Sequence, residues 1–297
     1  MELIYDVAII GSGVAGMSLA LYLNRAGINN IIIEKSAPGG QLNKIINLEN
    51  YPGIPSIDGP TFASNLYDQI TNLGTNYIYD EVLNIKSTGK YKKITTKNNI
   101  VKAKYVVIAT GRHPRPIELP NASTIIGSGI SYCALCDGAF YKNKSVAVLG
   151  SGRSAVEEAL YLSNICNQVT IVCRKDKINV EKINLDKILT KNNINILYNS
   201  NITKLNIKEN YLKSIIINDT ETLPVEGLFI AIGYIPNSDF ISNIKKDNGY
   251  IIVNKNYETS SKKIFAIGDS IKKAPYQVLS AAYDALILSN YITNKLK

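Results

Sequence analysis

A strand of mostly apolar residues, Asp6–Ile10, runs into the turn Gly11-Ser12-Gly13-Val14-Ala15-Gly16. A helical stretch to about Ala26 and a second apolar strand, Ile31–Glu34, follow. The succession returns later in the chain. Strand Ser145–Leu149 leads into Gly150-Ser151-Gly152-Arg153-Ser154-Ala155, a helix to about Asn164 and the strand Val169–Cys173. Each copy predicts a β-turn-α-β unit whose glycines permit a tight turn and a close approach of phosphate to backbone. One such motif is weak evidence. Two copies, each set between a strand and a helix, predict two nucleotide-binding domains.

Tyr105–Thr110 is a short buried strand closing on Gly111, after which Pro114, Pro116 and Pro120 break regular structure as a linker does. A similar strand, Leu228–Ile232, ends at Gly233 and is followed by Pro236. Gly249–Val253 and Ile264–Ile267 read as strands that rejoin the first domain. The expected fold is therefore α/β, with two Rossmann-like, three-layer domains, the second inserted in the first. The boundaries expected are 1–113 with 243–297 for the discontinuous domain, and 114–242 for the insert. A chain of 297 residues, 45% hydrophobic, can bury two such cores.

Composition narrows the function more than the fold. No apolar run reaches the length of a membrane span; the longest, around Leu228–Ile235, is strand-sized. No signal-peptide pattern precedes the first strand, so a cytoplasmic location is expected. The net charge of +9 is spread over single and paired lysines, such as Lys92–Lys93 and Lys272–Lys273, without a nucleic-acid recognition motif. Such a surface suits an acidic protein partner or a phosphorylated cofactor.

The first glycine turn, Gly11, Gly13 and Gly16, suits a pyrophosphate, since a helix N-terminus offers unpaired N–H groups and the positive end of a dipole. Glu34 ends the next strand, where a carboxylate accepts from both ribose hydroxyls of an adenosine and repels a 2′-phosphate. FAD or NAD is thus preferred there over NADP. Ala266-Ile267-Gly268-Asp269 points to the flavin, since such an aspartate can hold the ribityl chain. By itself Gly268-Asp269 is a common turn. With Gly39-Gly40-Gln41-Leu42 and Glu49-Asn50-Tyr51-Pro52-Gly53 it becomes specific.

Of four cysteines, Cys133 and Cys136 have C-x-x-C spacing, while Cys166 and Cys173 are isolated. A dithiol so spaced can close a small ring and reopen by thiolate exchange. If it opens a helix, the first sulfur gains thiolate character. Asp137 adjoins the pair and can move a proton. No metal is expected, since a zinc site needs four ligands and His113 is the single histidine.

Taken together, these motifs resemble the low-molecular-weight, bacterial-type thioredoxin reductases, nearly end to end. The resemblance rests on the first glycine motif, Gly39–Leu42, Glu49–Gly53, Ala109-Thr110-Gly111 and Cys133-Ala134-Leu135-Cys136-Asp137-Gly138. It continues through Gly150–Ala155, Ala231-Ile232-Gly233 with Pro236-Asn237, and Phe265–Asp269. It implies a homodimer with one FAD per protomer that passes electrons through the dithiol to thioredoxin. Cys136 would face the flavin, Cys133 would attack the disulfide of thioredoxin, and Asp137 would be the acid/base. The FAD set is Gly11, Gly13, Gly16, Glu34, Gly40, Gln41, Asn50, Gly268, Asp269 and Gln277. The NADPH set is Gly150, Gly152, Ser154, Ala155, Arg174 and Lys175.

Two departures leave the electron donor open between NADPH (or NADH) and ferredoxin. The family's His-Arg-Arg and later Arg around the 2′-phosphate become Cys173-Arg174-Lys175 and Asn179, so two of three cations remain. The Arg-Gln pair over the flavin becomes Tyr276-Gln277, as in ferredoxin-linked relatives. A dithiol oxidase on this scaffold would need no second nucleotide site, and the complete turn at Gly150–Ala155 counts against it. The inserted domain is expected to rotate on strands near 113–117 and 241–246.

Overall fold

The computed structural model describes residues 4–46, 48–273 and 275–296, and they fall into two units, 1–113 with 235–297 and 114–234. In the first unit, β1 (Ile4–Ile10) runs into α1 (Val14–Arg25) and β2 (Asn30–Glu34), followed by α2 (Gly59–Thr71) and β3 (Asn76–Tyr79). A meander of β4 (Val82–Ser87), β5 (Lys92–Thr96) and β6 (Ile100–Ile108) completes its first stretch. The sheet order is β3-β2-β1-β6-β5-β4. β1 is parallel to both β2 and β6, whereas β5 is antiparallel to β6 and β4.

Alternation along β1 assigns its side chains to two cores. Val7 and Ile9 pack with Met17, Leu19, Leu23 and Ile70 on the helical face, while Ala8 and Ile10 pack with Ile31, Ile33 and Ile94 on the other. Burial on both faces explains why the strand reads as an unbroken apolar run. Asp58 caps α2 by accepting from the Thr61 amide at 2.8 Å.

β7 (Arg112–Pro114) leads into the second unit, which opens with β8 (Ile130–Ser131) and the short helix α3 (Ala134–Asp137). β9 (Ser145–Leu149), α4 (Arg153–Ser163), β10 (Gln168–Val172), α5 (Lys182–Leu189) and β11 (Ile194–Leu197) form the repeated βαβ plan. The three-stranded antiparallel sheet β12 (Ile202–Lys208), β13 (Tyr211–Ile217) and β14 (Glu221–Pro224) precedes β15 (Gly227–Ile230). The main sheet is parallel throughout, in the order β11-β10-β9-β15-β8. Val146 and Val148 face α4, and Ala147 and Leu149 face the antiparallel sheet. The layering of the first unit is thus repeated.

The chain returns through β16 (Tyr234–Pro236), which pairs with β7. The return therefore lies between 234 and 235, eight residues before the boundary expected at 242/243. The reason is local: Asn237 is already tied into the first unit, its amide donating to Gly111 O at 2.9 Å and its Nδ2 to Thr110 O at 2.8 Å. Ile241 and Ile244, within the expected hinge at 241–246, are buried in the first unit's core. The strand expected at Gly249–Val253 shrinks to β18 (Tyr250–Ile251), paired with β17 (Lys246–Asp247) and bridged at Ile251 to Ile271, because Asn248 and Gly249 both take positive φ and make a turn. β19 (Ile264–Ala266) does rejoin the first sheet, parallel to β6, and α6 (Val278–Leu296) closes the unit. No described helix is long and apolar enough to cross a membrane.

Candidate functional site

In the first unit the parallel strands end together. Gly11 N donates to Ile33 O, Ala109 N to Ile10 O and Ile267 N to Ile108 O, so three turns leave one edge of the sheet. That carboxyl edge is where open α/β sheets bind ligands. Gly11, at φ +102°, lies so close to the neighbouring strand end that a Cβ there would meet Ala109 O at 2.5 Å. A Cβ on Gly16 would stand 2.0 Å from Gly11 O, so that glycine lets the helix start directly over the turn. Gly13 differs: its nearest obstacle is Gly39 O at 4.0 Å, and no side chain caps the helix there. Open space at an uncapped helix N-terminus suits the pyrophosphate of a dinucleotide.

Glu34 is held across the turn. Its Oε2 accepts from Ser12 N (2.8 Å) and Ser12 Oγ (3.2 Å), and its Oε1 from Ser36 N (3.0 Å) and Ser36 Oγ (3.1 Å). Four donors occupy the roughly four acceptor positions of a carboxylate. A ribose can therefore be accepted only if the serine hydroxyls give way while the amides keep the carboxylate aimed; Ser12 Oγ can do so while still accepting from Tyr77 Oη at 2.8 Å. Gly39 N donates to Ser12 O at 2.8 Å, which brings Gly40 and Gln41 beside the glycine turn. Gln41 Nε2 donates to Arg112 O at 2.9 Å, and Asn50 Nδ2 to Gln277 Oε1 at 3.0 Å. Gly268 takes φ +68°, and a Cβ on it would meet the Ala15 side chain at 2.8 Å, so Asp269 sits by the start of α1. All ten residues expected for the first nucleotide belong to this unit.

Two anchors of this site carry no motif in the sequence. Arg112 pairs with Asp269 (Nε–Oδ2 3.0 Å) and lies over the Tyr276 ring at 4.3 Å. Asp284, nearly buried on α6, accepts from Gly268 N (2.9 Å), Tyr257 Oη (2.9 Å) and Lys273 Nζ (2.6 Å), and so holds the Gly268 turn. Arg112 follows directly on the Ala109-Thr110-Gly111 strand end, a position that could have drawn attention. Asp284 had no local signal.

In the second unit Cys133 and Cys136 are joined as a disulfide, with Cα atoms 5.3 Å apart. Cys133 is the N-cap of α3, and the Cys136 amide donates to its sulfur at 3.1 Å. Cys133 is buried and Cys136 exposed. Asp137 is half-buried, and the fully buried Ser131 hydroxyl donates to its Oδ2 at 2.6 Å while accepting from Cys133 N at 3.0 Å. One hydroxyl thus links the carboxylate to the dithiol backbone, a partner with no motif of its own in the sequence. Strand register places Ser131 beside Phe229 and Phe229 beside Val148. The dithiol accordingly leaves the sheet at the edge where Gly150 leaves β9, two strand spacings or roughly 10 Å away.

The second glycine turn repeats the first. A Cβ on Gly150 would meet Ala231 O at 2.4 Å and Ala155 Cβ at 3.0 Å, whereas Gly152 faces open space and α4 has no side-chain cap. Ser154 lies in the first turn of α4, partly buried. Arg174 and Lys175 are exposed, in no ion pair among the described residues, and Asn179 N donates to Ser151 O at 3.0 Å. Residue 179 is thereby tied to the glycine turn. Arg153, at the start of α4, is paired with Glu157 at 2.6 Å and Glu181 at 3.5 Å. Burial pushes the Cys166 thiol up to about 11, and Cys173 is buried at the end of β10, so neither has the character of a reactive thiol. No His, Cys, Asp or Glu cluster suited to a metal occurs among the described residues.

A disulfide opening a helix, set in one of two α/β units that each carry a dinucleotide-type turn, defines a disulfide oxidoreductase. The family model for pyridine nucleotide-disulphide oxidoreductases matches residues 5–285, and the chain belongs to that family, on its low-molecular-weight thioredoxin reductase branch. Similar relatives are a thioredoxin reductase of Ureaplasma parvum, 38% identical over 97% of this chain and 96% of its own, and one of Bacillus subtilis, 35% identical over 98% and 94%. The crystal structure of Lactococcus lactis thioredoxin reductase superposes with a TM-score of 0.93 at 35% identity, over 98% of both chains.

Proposed function

We propose that this protein reduces the disulfide of thioredoxin through Cys133 and Cys136, with FAD as resident cofactor and NADPH as electron donor. The observation that carries the reading is the Cys133–Cys136 disulfide at the start of α3, with Asp137 anchored beside it on Ser131. The residues that would hold FAD are the Gly11–Gly16 turn, Glu34, Gly40, Gln41, Asn50, Gly268, Asp269 and Gln277. A bound flavin supplies two-electron transfer. Two electrons and two protons open the S–S bond to two thiols. The Cys133 thiolate, stabilised by the Cys136 amide, then attacks one sulfur of thioredoxin and releases the other. Cys136 attacks Cys133 in turn, restoring the internal disulfide and freeing reduced thioredoxin. Asp137 takes up or returns the proton in this exchange. Cys136, the exposed sulfur, is the one assigned to the flavin. One Cys pair cannot face the flavin and thioredoxin at the same moment, so the reading includes a rotation of the second unit.

NADPH as donor draws support from the open turn at Gly152 and the exposed cations Arg174 and Lys175. A second reading, ferredoxin as donor, is favoured by Tyr276 and by the net charge of +9, which would dock an acidic partner. Anaerobic addition of NADPH, NADH and reduced ferredoxin, each alone, separates them: bleaching of the flavin by NADPH is expected. Bleaching by ferredoxin alone would replace that donor, and rapid oxygen consumption with small dithiols would point to an oxidase. The reading also makes the protein a cytoplasmic homodimer, checked by sedimentation. Cys136→Ser should keep FAD and lose thioredoxin reduction, and normal turnover by this variant would sink the dithiol assignment.

A further inference from the structure

We infer that Arg112 is a positioning residue of the flavin site, its guanidinium held between Asp269 and the Tyr276 ring so that Asp269 stays aimed as an acceptor for the flavin's polyol chain. This rests on the proposed flavin reading and adds a residue that the sequence motifs do not contain. Arg112 meets three separate segments. Its Nε lies 3.0 Å from Asp269 Oδ2, its Cζ lies 4.3 Å from the Tyr276 ring centroid, and its carbonyl accepts from Gln41 Nε2 at 2.9 Å. Tyr276 in turn packs against Tyr250, ring centroids 5.7 Å apart. A planar guanidinium can stack on a ring with its face while its in-plane N–H groups bond a carboxylate, which an ammonium cannot do.

An exposed ion pair would carry little weight. This one is not exposed, the side chains of Arg112 and Asp269 being 19% and 21% accessible. The charges around Asp269 are Arg112, Lys273 and Asp284, with Tyr276 and Tyr250 beside Arg112. Lys273 is engaged by Asp284 at 2.6 Å, so among the described residues Arg112 is the cation in direct contact with Asp269. Burial pushes the Asp269 carboxyl up, and Arg112 followed by Lys273 pulls it back. A buried carboxylate that loses its cation takes up a proton instead of remaining charged. It then no longer accepts on both oxygens.

The test is FAD retention by the full-length protein, measured as flavin fluorescence released on dilution, between pH 6 and 8.5. Arg112→Ala should weaken FAD binding about tenfold to a hundredfold, the range for losing a hydrogen bond to a charged group. The loss should be greatest at the low-pH end, where Asp269 without its cation protonates, whereas the wild type should vary little. Arg112→Lys, which keeps the charge and loses the stack, should restore the flat pH profile with intermediate affinity. Asp269→Asn should remove the pH dependence, and adding Arg112→Ala to it should cost little more. Arg112→Gln gives the same reading should the alanine variant fold poorly. Wild-type retention in the neutral variants at every pH, or additive losses in the double variant, would overturn the inference and leave the flavin reading intact. A wild-type protein that binds no FAD would overturn both.

Discussion

At the scale of single residues, the chemistry depends on groups that face each other across short distances. Asp137 is the only acid adjoining the dithiol in sequence, so Asp137→Asn should slow thioredoxin reduction by roughly 10²-fold, the usual effect of losing a general acid/base. Its flavin spectrum should hardly change, and turnover within twofold at all pH values would assign the proton to another group. Ser131→Ala removes the 2.6 Å bond that orients Asp137, an interaction worth about tenfold in rate, while Ser131→Thr should preserve it. Stopped-flow reduction of oxidised thioredoxin distinguishes the two. Equal rates for both variants would make Ser131 a packing residue.

At the scale of elements, turns carry the constraints. Gly16→Ala would place a methyl 2.0 Å from Gly11 O, and backbone cannot yield as a side chain does. A stability loss of at least about 1–3 kcal/mol is expected, with loss of FAD, readable by thermal unfolding and flavin content. The β3–β4 turn depends on Asp80, which accepts from Thr96 Oγ1 (2.6 Å), Asn99 Nδ2 (2.8 Å), Glu81 N (2.8 Å) and Asn98 N (3.0 Å). These donors, Thr96 foremost, hold its carboxyl well below the usual aspartate range. A lowered carboxyl contributes stability that is fully present above the unfolded-state value near 4 and is lost as pH falls through the folded-state value. Asp80→Asn should therefore lower Tm at pH 7 and flatten its fall below about pH 4. Parallel Tm–pH curves for the two proteins would remove Asp80 from the account.

At the scale of the whole molecule, the donor site and the surface charge matter. Asn179 is tied to the second glycine turn through its backbone, so Asn179→Arg should bring a third cation to Arg174 and Lys175. The apparent KM for NADPH should fall, by up to about tenfold to a hundredfold if the contact is well placed. An unchanged KM would mean that the side chain at 179 does not reach the phosphate. The +9 charge gives a further discriminator. Turnover with an acidic ferredoxin should drop steeply with added salt, since screening shortens the reach of surface charge to about 8 Å at physiological ionic strength.

How far the sequence determined this protein follows from the range of the interactions involved. β1, α1, β2 and their copy at β9, α4, β10 were legible because a strand buried on both faces, a tight glycine turn and a helix are local patterns. The dithiol was legible because its chemistry lies within four consecutive residues. Gly249–Val253 was legible only in part, since Asn248 and Gly249 turn the chain and leave Tyr250–Ile251 as a two-residue strand. The return point at 234/235 could not be read from composition, because it is set by hydrogen bonds between Asn237 and Thr110–Gly111, far apart in the chain. The same holds for Ser131 beneath Asp137, Arg112 between Asp269 and Tyr276, and Asp284 behind Gly268. Each is an ordinary polar residue in sequence. Only folding removes the surrounding water and brings the partners within about 3 Å, where a buried charge must be matched by a donor or a countercharge.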